Sequence, residues 1–343
     1  MNPDEKLLFK AIKEDSLEKL ASALSRGVKL NKLYEEYKFT PLLYAVKQGN
    51  ENMVMTLLEQ GADIHMRGLK GETPLFLACY LGKYGVAELL LEYGARPDVG
   101  ALGGPTPLNA AIFRRDLNMV KLLLRKGANV NYNAYQLPLN TAIEFQAYEI
   151  LEELLHKGAN PNLYGAPLQI QAPPLIFAIE RNSARSVKLL LDRGADIEIK
   201  YSLRPPLHYA AMQNSQHVKL LCEKGALVNF QDELYSTTAL MIASGMGKVE
   251  SVRILCEYGA NKNLVSKSGK RAVDYVDIDS NEGNQIFEIL DSCGVSDPTL
   301  PNSPPIILNQ ETNEPQALEI LETDPRGGRR TRRRKSSNRS RKH

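Results

Sequence analysis

The sequence has few cysteines and no long apolar run. Four cysteines in 343 residues are too few for a disulfide framework, so we expect a chain made in a reducing compartment. No apolar stretch approaches the roughly 20 residues that a membrane helix needs. The first residues, MNPDEKLLFK, mix charges into their apolar stretch, so we expect no secretory signal peptide there.

Motifs for metal, phosphate or catalytic chemistry are also missing. The histidines fall at unrelated positions: His65, His156, His208, His217 and His343. No Cys/His spacing fits a zinc site, and neither a P-loop nor an H-E-x-x-H motif occurs. The glycine-rich stretch 100–104 lacks the following Lys-Ser/Thr and is interpreted as a flexible loop. We therefore expect no metal, no cofactor, no small-molecule substrate and no enzyme activity.

The net charge is +3, but the charged residues are distributed unevenly along the chain. Residues 326–343 hold ten Lys/Arg and no acid, and residues 297–325 hold six acids and no base. Residues 1–296 are then left with a net charge of −1. The chain thus divides into a neutral body, an acidic linker and a basic tip, and charge gives no reason for the body to bind nucleic acid.

Two short motifs recur along the body. The first is TPLLYA from Thr40, TPLFLA from Thr73 and TPLNAA from Thr106. Looser copies begin at Pro138, Pro174, Pro206, Ala239 and Ala272, at intervals of 31 to 36 residues. The second motif follows each of the first seven copies, as LLEQGAD, LLEYGAR, LLRKGAN, LLHKGAN, LLDRGAD, LCEKGAL and LCEYGAN. Two coupled motifs with one period indicate a repeat architecture.

These motifs resemble those of the ankyrin-repeat family, whose signature is T-P-L-H-x-A at a period of about 33 residues. The resemblance covers residues ~5–296 and implies about nine units, each with a β-turn finger, an inner helix and an outer helix. It implies an all-α repeat solenoid without catalytic residues. The expected divisions are an N-terminal capping repeat (1–36), seven repeats (37–268), a C-terminal capping repeat (269–296), an acidic disordered linker (297–325) and a basic disordered tail (326–343).

Local signals agree with this architecture. Thr before Pro caps a helix, and Pro suits the first helical position. The first helix is expected to end where a residue tolerates the left-handed conformation: Gly49, Gly82, Asn182, Asn214 and Gly247. Arg115 and Gln146 depart from this pattern. Histidine fills the fourth place of the signature only at His208, so we expect its hydrogen bond to be missing from most repeats.

Cys222 and Cys256 occupy equivalent positions on consecutive outer helices. The axes of neighbouring helices lie about 8–10 Å apart, whereas a disulfide needs Cα atoms within about 7 Å. Each cysteine is therefore interpreted as a small packing residue.

The resemblance implies a concave binding groove made of finger tips and inner helices. Counted from each repeat's Pro, positions +1, +4, +5 and +8 are predicted to be buried, and positions +3 and +6 point the opposite way. Five of the seven repeats carry an aromatic residue at +3 or +6, which predicts a contiguous apolar groove. The groove residues are Tyr44, Leu77, Tyr80, Phe113, Phe177, Tyr209 and Met212. The alternative is that these side chains pack against the finger bases.

The fingers of the middle and later repeats also carry aromatic residues: Tyr132, Tyr135, Tyr164, Tyr201, Phe230 and Tyr235. One finger is long, with 16 residues from Gly158 to Pro174 against 11 to 14 elsewhere. An insertion in a repeat maps to a loop that often lies on the binding face, and a neutral loop is the alternative.

The basic tail suggests a localisation or nucleic-acid signal. Its cluster consists of Arg329, Arg330, Arg332, Arg333, Arg334 and Lys335. Such a patch is typical of nuclear import or nucleic-acid binding; a secretion signal and a merely solvated basic end are alternatives. Residues 333–336 resemble the R-R-x-S motif of basophilic kinases, which makes Ser336 a candidate phosphorylation site.

Three functions remain open at this point. The first is a non-catalytic scaffold, cytoplasmic and/or nuclear, that binds a protein partner in its groove and an import receptor or nucleic acid through its tail, without membrane contact. The second is an effector of an intracellular bacterium, secreted to act on a host protein inside the host cell. The third is a nucleic-acid-associated regulator that uses the tail to bind phosphates.

Overall fold

The computed structural model describes residues 2–133, 135–165 and 172–293. Helices within these residues alternate between an inner and an outer layer. The inner helices are α1 (Pro3–Lys13), α3 (Pro41–Gln48), α5 (Pro74–Leu81), α7 (Pro107–Phe113), α9 (Pro138–Glu144), α11 (Pro174–Glu180), α13 (Pro206–Gln213) and α15 (Ala239–Gly245). The outer helices are α2 (Leu17–Ser25), α4 (Glu51–Glu59), α6 (Tyr84–Glu92), α8 (Leu117–Arg125), α10 (Tyr148–His156), α12 (Ala184–Asp192), α14 (Ser215–Glu223), α16 (Val249–Glu257) and α17 (Asn281–Ser292). The predicted linker 297–325 and tail 326–343 lie outside the described residues.

The inner helices begin where the threonine and proline signals place them. The side chains of Thr40, Thr73, Thr106 and Thr238 each accept a hydrogen bond from the backbone N–H three residues later, at 3.1 to 3.2 Å. This bond satisfies one of the amide groups that a helix start leaves unpaired. Leu137, Pro173 and Pro205 precede the other prolines and provide no side-chain cap. The predicted caps are thus confirmed where threonine is present.

The turn from inner to outer helix keeps one conformation in most repeats. Gly82 has φ of 70°, and Arg115 and Gln146 adopt the same left-handed region with φ of 57° and 51°. An arginine or glutamine in place of glycine at this position therefore leaves the conformation of the turn unchanged. Left-handed backbone costs a residue with a Cβ roughly 1–2 kcal/mol, so these two repeats carry local strain.

Asn214 does not take the expected left-handed conformation. Its φ is −150° and its ψ is 158°, which is extended backbone. Outer helix α14 begins nine residues after Pro206, whereas α6 begins ten residues after Pro74. The missing residue removes the left-handed position from the turn. The Asn214 side chain instead caps α14 and accepts a hydrogen bond from the His217 N–H at 3.1 Å.

Stacking of the two layers builds a continuous apolar core. Each inner helix contacts the inner helices of adjacent repeats, and outer helices such as α10, α12, α14 and α16 also contact in series. Leu75, Ala78 and Cys79 of α5 are buried, as predicted for positions +1, +4 and +5. A fully buried Leu side chain contributes about 1.5–3 kcal/mol, so most of the stability comes from contacts between layers.

Side-chain amides link neighbouring repeats where histidine is absent. His208 Nε2 donates to the carbonyl oxygen of Thr237 at 2.9 Å. Asn109 and Asn140 occupy the equivalent position and donate from Nδ2 to the carbonyl oxygens of Gln136 and Ala172, each at 3.1 Å. The expectation that this bond is missing from most repeats is confirmed, since Leu43, Phe76, Ile176 and Met241 have no donor at this position. Asparagine supplies the same donor in two further repeats.

The C-terminal repeat departs from the expected pattern. Its inner segment, Ala272–Tyr275, is a 3-10 turn, and α17 packs against α16. Cys256 and Cys293 form a disulfide with Cα atoms 5.3 Å apart. The interpretation of Cys256 as a packing residue is wrong, because α17 brings Cys293, rather than Cys222, within bonding distance. Cys222 is buried and free, and burial raises the pKa of its thiol to about 12.

Candidate interaction surface

Positions +3 and +6 of the inner helices have different environments. Tyr80 and Phe113, both at +6, are 45% and 49% exposed. Leu77 and Phe177, both at +3, are each 8% exposed. The prediction that positions +3 and +6 share one open face is therefore wrong for Leu77 and Phe177.

The fingers cover position +3. Tyr209 is half-buried, and its hydroxyl donates to the carbonyl oxygen of Tyr201 in the finger at 2.7 Å. Tyr44 is half-buried, with its ring centroid 5.2 Å from that of Phe9 and 5.3 Å from that of Tyr37. The alternative, packing against the finger bases, is thus correct for Tyr44 and Tyr209. Met212, at +6, is half-buried.

Four rings at the ends of α5, α7 and α9 form a surface that we call the aromatic row: Phe76, Tyr80, Phe113 and Phe145. The rings of Tyr80 and Phe113 are stacked, with centroids 6.1 Å apart and planes at 14°. Phe76 stacks with Tyr80 at 6.0 Å, and Phe145 meets Phe113 edge-on at 5.0 Å. Because each ring is held by its neighbour, the surface is formed before any partner arrives.

The aromatic row leaves substantial apolar area in contact with water. An aromatic side chain buries about 150–250 Å² when fully covered, so the half-exposed Tyr80 and Phe113 each retain on the order of 100 Å². At about 25 cal/mol per Å², covering that area stabilises a complex by about 2 kcal/mol per ring.

Charged groups end the row at α11, so the apolar groove is not contiguous. The guanidinium of Arg181 lies 4.8 Å from the centroid of the buried Phe177 ring. Its Nη2 also pairs with Glu144 Oε1 at 3.0 Å. At the neighbouring position, burial raises the pKa of the Glu180 carboxyl. The predicted apolar groove is therefore confined to the repeats before α11.

Sequence reasoning missed Phe76 and Phe145. They lie at positions +2 and +7, which the helical pattern assigned to neither the buried nor the open face. Both are half-buried and contact the exposed rings of Tyr80 and Phe113. The available signal was the local concentration of aromatic residues near the ends of consecutive inner helices, whatever their helical phase.

The finger aromatics lie apart from this row and mostly hold fingers together. Tyr164 and Tyr235 are exposed, whereas Tyr132, Tyr135, Tyr201 and Phe230 are half-buried. The Tyr164 hydroxyl donates to the carbonyl oxygen of Lys200 in the next finger at 2.7 Å. The Phe230 ring meets His208 edge-on at 6.1 Å. Residues 166–171 of the long finger lie outside the described residues, as do Ser336 and the basic cluster.

Basic side chains border the row where the inner helices end. Arg114 Nη1 donates to the carbonyl oxygen of Tyr80 at 3.2 Å, which places the guanidinium at the end of α5 near the residue that carries one exposed ring. The Lys83 side chain lies against Gly49 of the preceding repeat. Arg115 and Arg185 line one cavity of about 210 Å³ together with Tyr148. We call Lys83, Arg114 and Arg115 the basic edge.

The described residues contain neither a metal-binding cluster nor a membrane-spanning helix. Within residues 2–133, 135–165 and 172–293, no group of three His, Cys, Asp or Glu side chains is placed to hold a metal ion. In those same segments, every helix is too short or too polar to cross a membrane.

Most of the helical array matches a known protein family in sequence. The sequence matches a family model described as "Ankyrin repeats (3 copies)" over residues 7–101, 97–164 and 175–266. It is 45% identical over 92 residues to the B-cell lymphoma 3 protein homolog of Mus musculus, covering 25% of this chain and 20% of that protein. It is 28% identical over 176 residues to ankyrin repeat and SAM domain-containing protein 6 of the same species, covering 50% and 20%.

A third relative is the human Transient receptor potential cation channel subfamily A member 1, 35% identical over 99 residues. That match covers 28% of this chain and 9% of the channel protein. In all three cases the chain spans a fifth or less of the relative's length. The family match covers well over half of this chain, and with the paired helices, threonine caps and fingers it shows that the chain belongs to the ankyrin-repeat family.

Proposed function

We propose that this chain is a non-catalytic scaffold whose aromatic row binds a segment of a partner protein. Ankyrin repeats generally mediate protein–protein interaction and are generally not enzymes. The observation that supports this site is the pair of stacked, half-exposed rings of Tyr80 and Phe113. Exposed aromatic clusters with fixed geometry are typical of the residues that dominate binding energy in protein interfaces.

The test compares two double variants of the full chain. Tyr80→Ala/Phe113→Ala removes the exposed rings of the row. Tyr93→Ala/Tyr258→Ala removes two similarly exposed rings from the ends of α6 and α16 and serves as the control. Each protein is immobilised and exposed to the same lysate, and the retained proteins are quantified by mass spectrometry.

We expect proteins that wild type and the control retain to be lost from Tyr80→Ala/Phe113→Ala. Circular dichroism and the melting temperature should change little, because these rings are exposed. If both double variants retain the same proteins in the same amounts, the aromatic row is not the binding surface.

For the basic tail, residues 326–343, we propose a role in localisation, with nuclear import as the leading function. Its ten Lys/Arg without an acid support this role. A fluorescent fusion lacking 326–343 should lose nuclear accumulation that the full chain shows. Secretion into a host cell and nucleic-acid binding are the competing roles, and a salt-dependent affinity for nucleic acid that vanishes with the tail would favour the latter.

A further inference from the structure

The charge around the aromatic row is unbalanced. Lys83, Arg114 and Arg115 form no ion pair with any described residue; Arg114 donates to the backbone of Tyr80 and lies against Gly82. The acids at the same turns are engaged elsewhere. Asp116 caps α8, accepting from the Met119 N–H at 3.0 Å, and Glu51 lies against Gly85 at the start of α6.

The acid at the far end of the row is neutralised by the protein itself. Glu144 Oε1 pairs with Arg181 at 3.0 Å, and its Oε2 accepts from Gln136 Nε2 at 3.0 Å. Glu149 lines the cavity beside Arg115, but Arg185 lines it too. The exposed rings of Tyr80 and Phe113 therefore lie near three cations that form no ion pair within the described residues and can meet the carboxylates of a ligand.

We propose that the aromatic row and the basic edge together bind an acidic peptide segment that carries an aromatic or aliphatic anchor. The anchor covers Tyr80 and Phe113, and the carboxylates of the segment face Lys83, Arg114 and Arg115. This proposal rests on the proposed function and specifies the chemistry of its partner. Burial of the rings supplies most of the affinity, whereas the exposed cations supply orientation, association rate and selection against basic segments.

The ring geometry favours a peptide over single-stranded nucleic acid. Nucleic-acid platforms stack bases on open ring faces. Here the Tyr80 centroid lies 6.0 Å from that of Phe76 and 6.1 Å from that of Phe113, so neither pair is far enough apart to hold a base between its rings. Phe145 meets Phe113 edge-on at 5.0 Å, so this pair leaves no room for a base either. No ring pair in the row leaves a slot for a base, whereas apolar side chains can cover the exposed ring edges.

The array itself supplies substitutions that remove the basic edge without disturbing the fold. Gln48 ends α3 at the position that corresponds to Arg114, and Gln146 holds the left-handed position that corresponds to Arg115. Arg114→Gln/Arg115→Gln therefore places residues that neighbouring repeats already accommodate. Lys121→Gln/Arg125→Gln removes the same charge from outer helix α8 and is the matched control.

The first experiment selects a random-peptide phage library on the full chain, with counter-selection on Tyr80→Ala/Phe113→Ala. The enriched peptides should carry net negative charge and at least one aromatic or aliphatic anchor. Neutral or basic enriched peptides would overturn the acidic proposal and leave the groove function standing. No enrichment over the counter-selecting variant would remove both.

The second experiment measures the best enriched peptide by fluorescence anisotropy against each variant, with a thymidine 15-mer as the nucleic-acid probe. Arg114→Gln/Arg115→Gln should weaken peptide binding about tenfold, and the α8 control should leave it unchanged. Affinity should also fall as rising salt shortens the Debye length from about 30 Å to about 8 Å. Equal losses in both charge variants, or tighter binding of the oligonucleotide at the row, would contradict the proposal.

Discussion

The repeats before α11 and those after it place polar and apolar side chains differently. The third residue of each outer helix from α4 to α16 is buried: Met53, Val86, Met119 and Ile150 in the earlier repeats, and Ser186, His217 and Ser251 in the later ones. The exposed row of aromatic rings, by contrast, lies only in the earlier repeats. The third position of the outer helices is thus apolar in the earlier repeats, which also carry the aromatic row, and mostly polar in the later ones.

The cost of these buried polar side chains to stability depends on whether they are hydrogen-bonded. Ser186 is paired with Ser183, with Oγ atoms 2.9 Å apart. Both ring nitrogens of His217 are buried without a partner among the described residues. An unpaired buried polar group costs about 1–3 kcal/mol, so we infer that His217 destabilises the later repeats and that they depend on the Cys256–Cys293 bond at their end.

The largest effect is expected from breaking that bond. The disulfide joins residues 37 apart, and closing such a loop stabilises the folded chain by about 4 kcal/mol in the chain-entropy description. Reduction, or Cys256→Ala/Cys293→Ala, should raise amide hydrogen exchange in α15 to α17 far more than in α3 to α8. Cys222→Ala is the control for a buried free thiol. Uniform loss of protection along the array would break the comparison between the two halves.

A smaller effect of opposite sign is expected at His217. His217→Met introduces methionine, which Met53 and Met119 already provide at the equivalent position of other repeats, and it removes the unpaired ring nitrogens. We expect the free energy of unfolding to rise by about 1–3 kcal/mol, measured by urea titration at neutral pH.

The same variant should change how stability depends on pH. Burial lowers the pKa of His208 and His217 from the ordinary 6.5. As pH falls below that value, the unfolded chain takes up protons and the folded chain does not. Stability is therefore complete above about pH 6.5 and declines as pH falls below that value. His217→Met should reduce this decline, and His65→Gln at an exposed site serves as the control; an unaltered pH dependence in His217→Met would contradict the assignment.

The smallest effect concerns the strained turns of the earlier half. Gln146→Gly should stabilise the array by about 1 kcal/mol, because glycine adopts left-handed backbone without a Cβ clash. Gly82→Ala should do the reverse, since φ is +70° and the new Cβ would lie 2.9 Å from the Arg114 side chain. Paired thermal melts measure the difference. If neither variant moves the melting temperature, backbone strain does not distinguish these repeats.

Prediction from the sequence succeeded where contacts are local. Threonine caps and proline starts act within one helical turn, so the inner helices could be placed from the residues alone. The shortened turn before α14 could also be predicted from the sequence, from the spacing between Pro206 and Ser215. The Cys256–Cys293 pair could not be reached by comparing Cys222 with Cys256, because only the packing of α17 on α16 shows which cysteine is near.

The binding surface was predicted in part. Tyr80 and Phe113 are exposed as expected, whereas Leu77 and Phe177 are not, and Phe76 and Phe145 were absent from the prediction. A helical wheel gives directions around one axis, but it contains no information about the finger that covers the first turn. Burial at position +3 is therefore a property of finger and helix together.

The sequence by itself determined the repeat period, the helix starts, the turns and the apolar stripe, because each depends on backbone geometry within a few residues. Tertiary structure alone decided which side chains on the open face stay exposed. It also decided that Asn109 and Asn140 replace histidine, and that Cys256 finds Cys293. The last two outcomes depend on groups 27 to 37 residues apart in the chain, which only the stacking of one repeat on the next brings within contact.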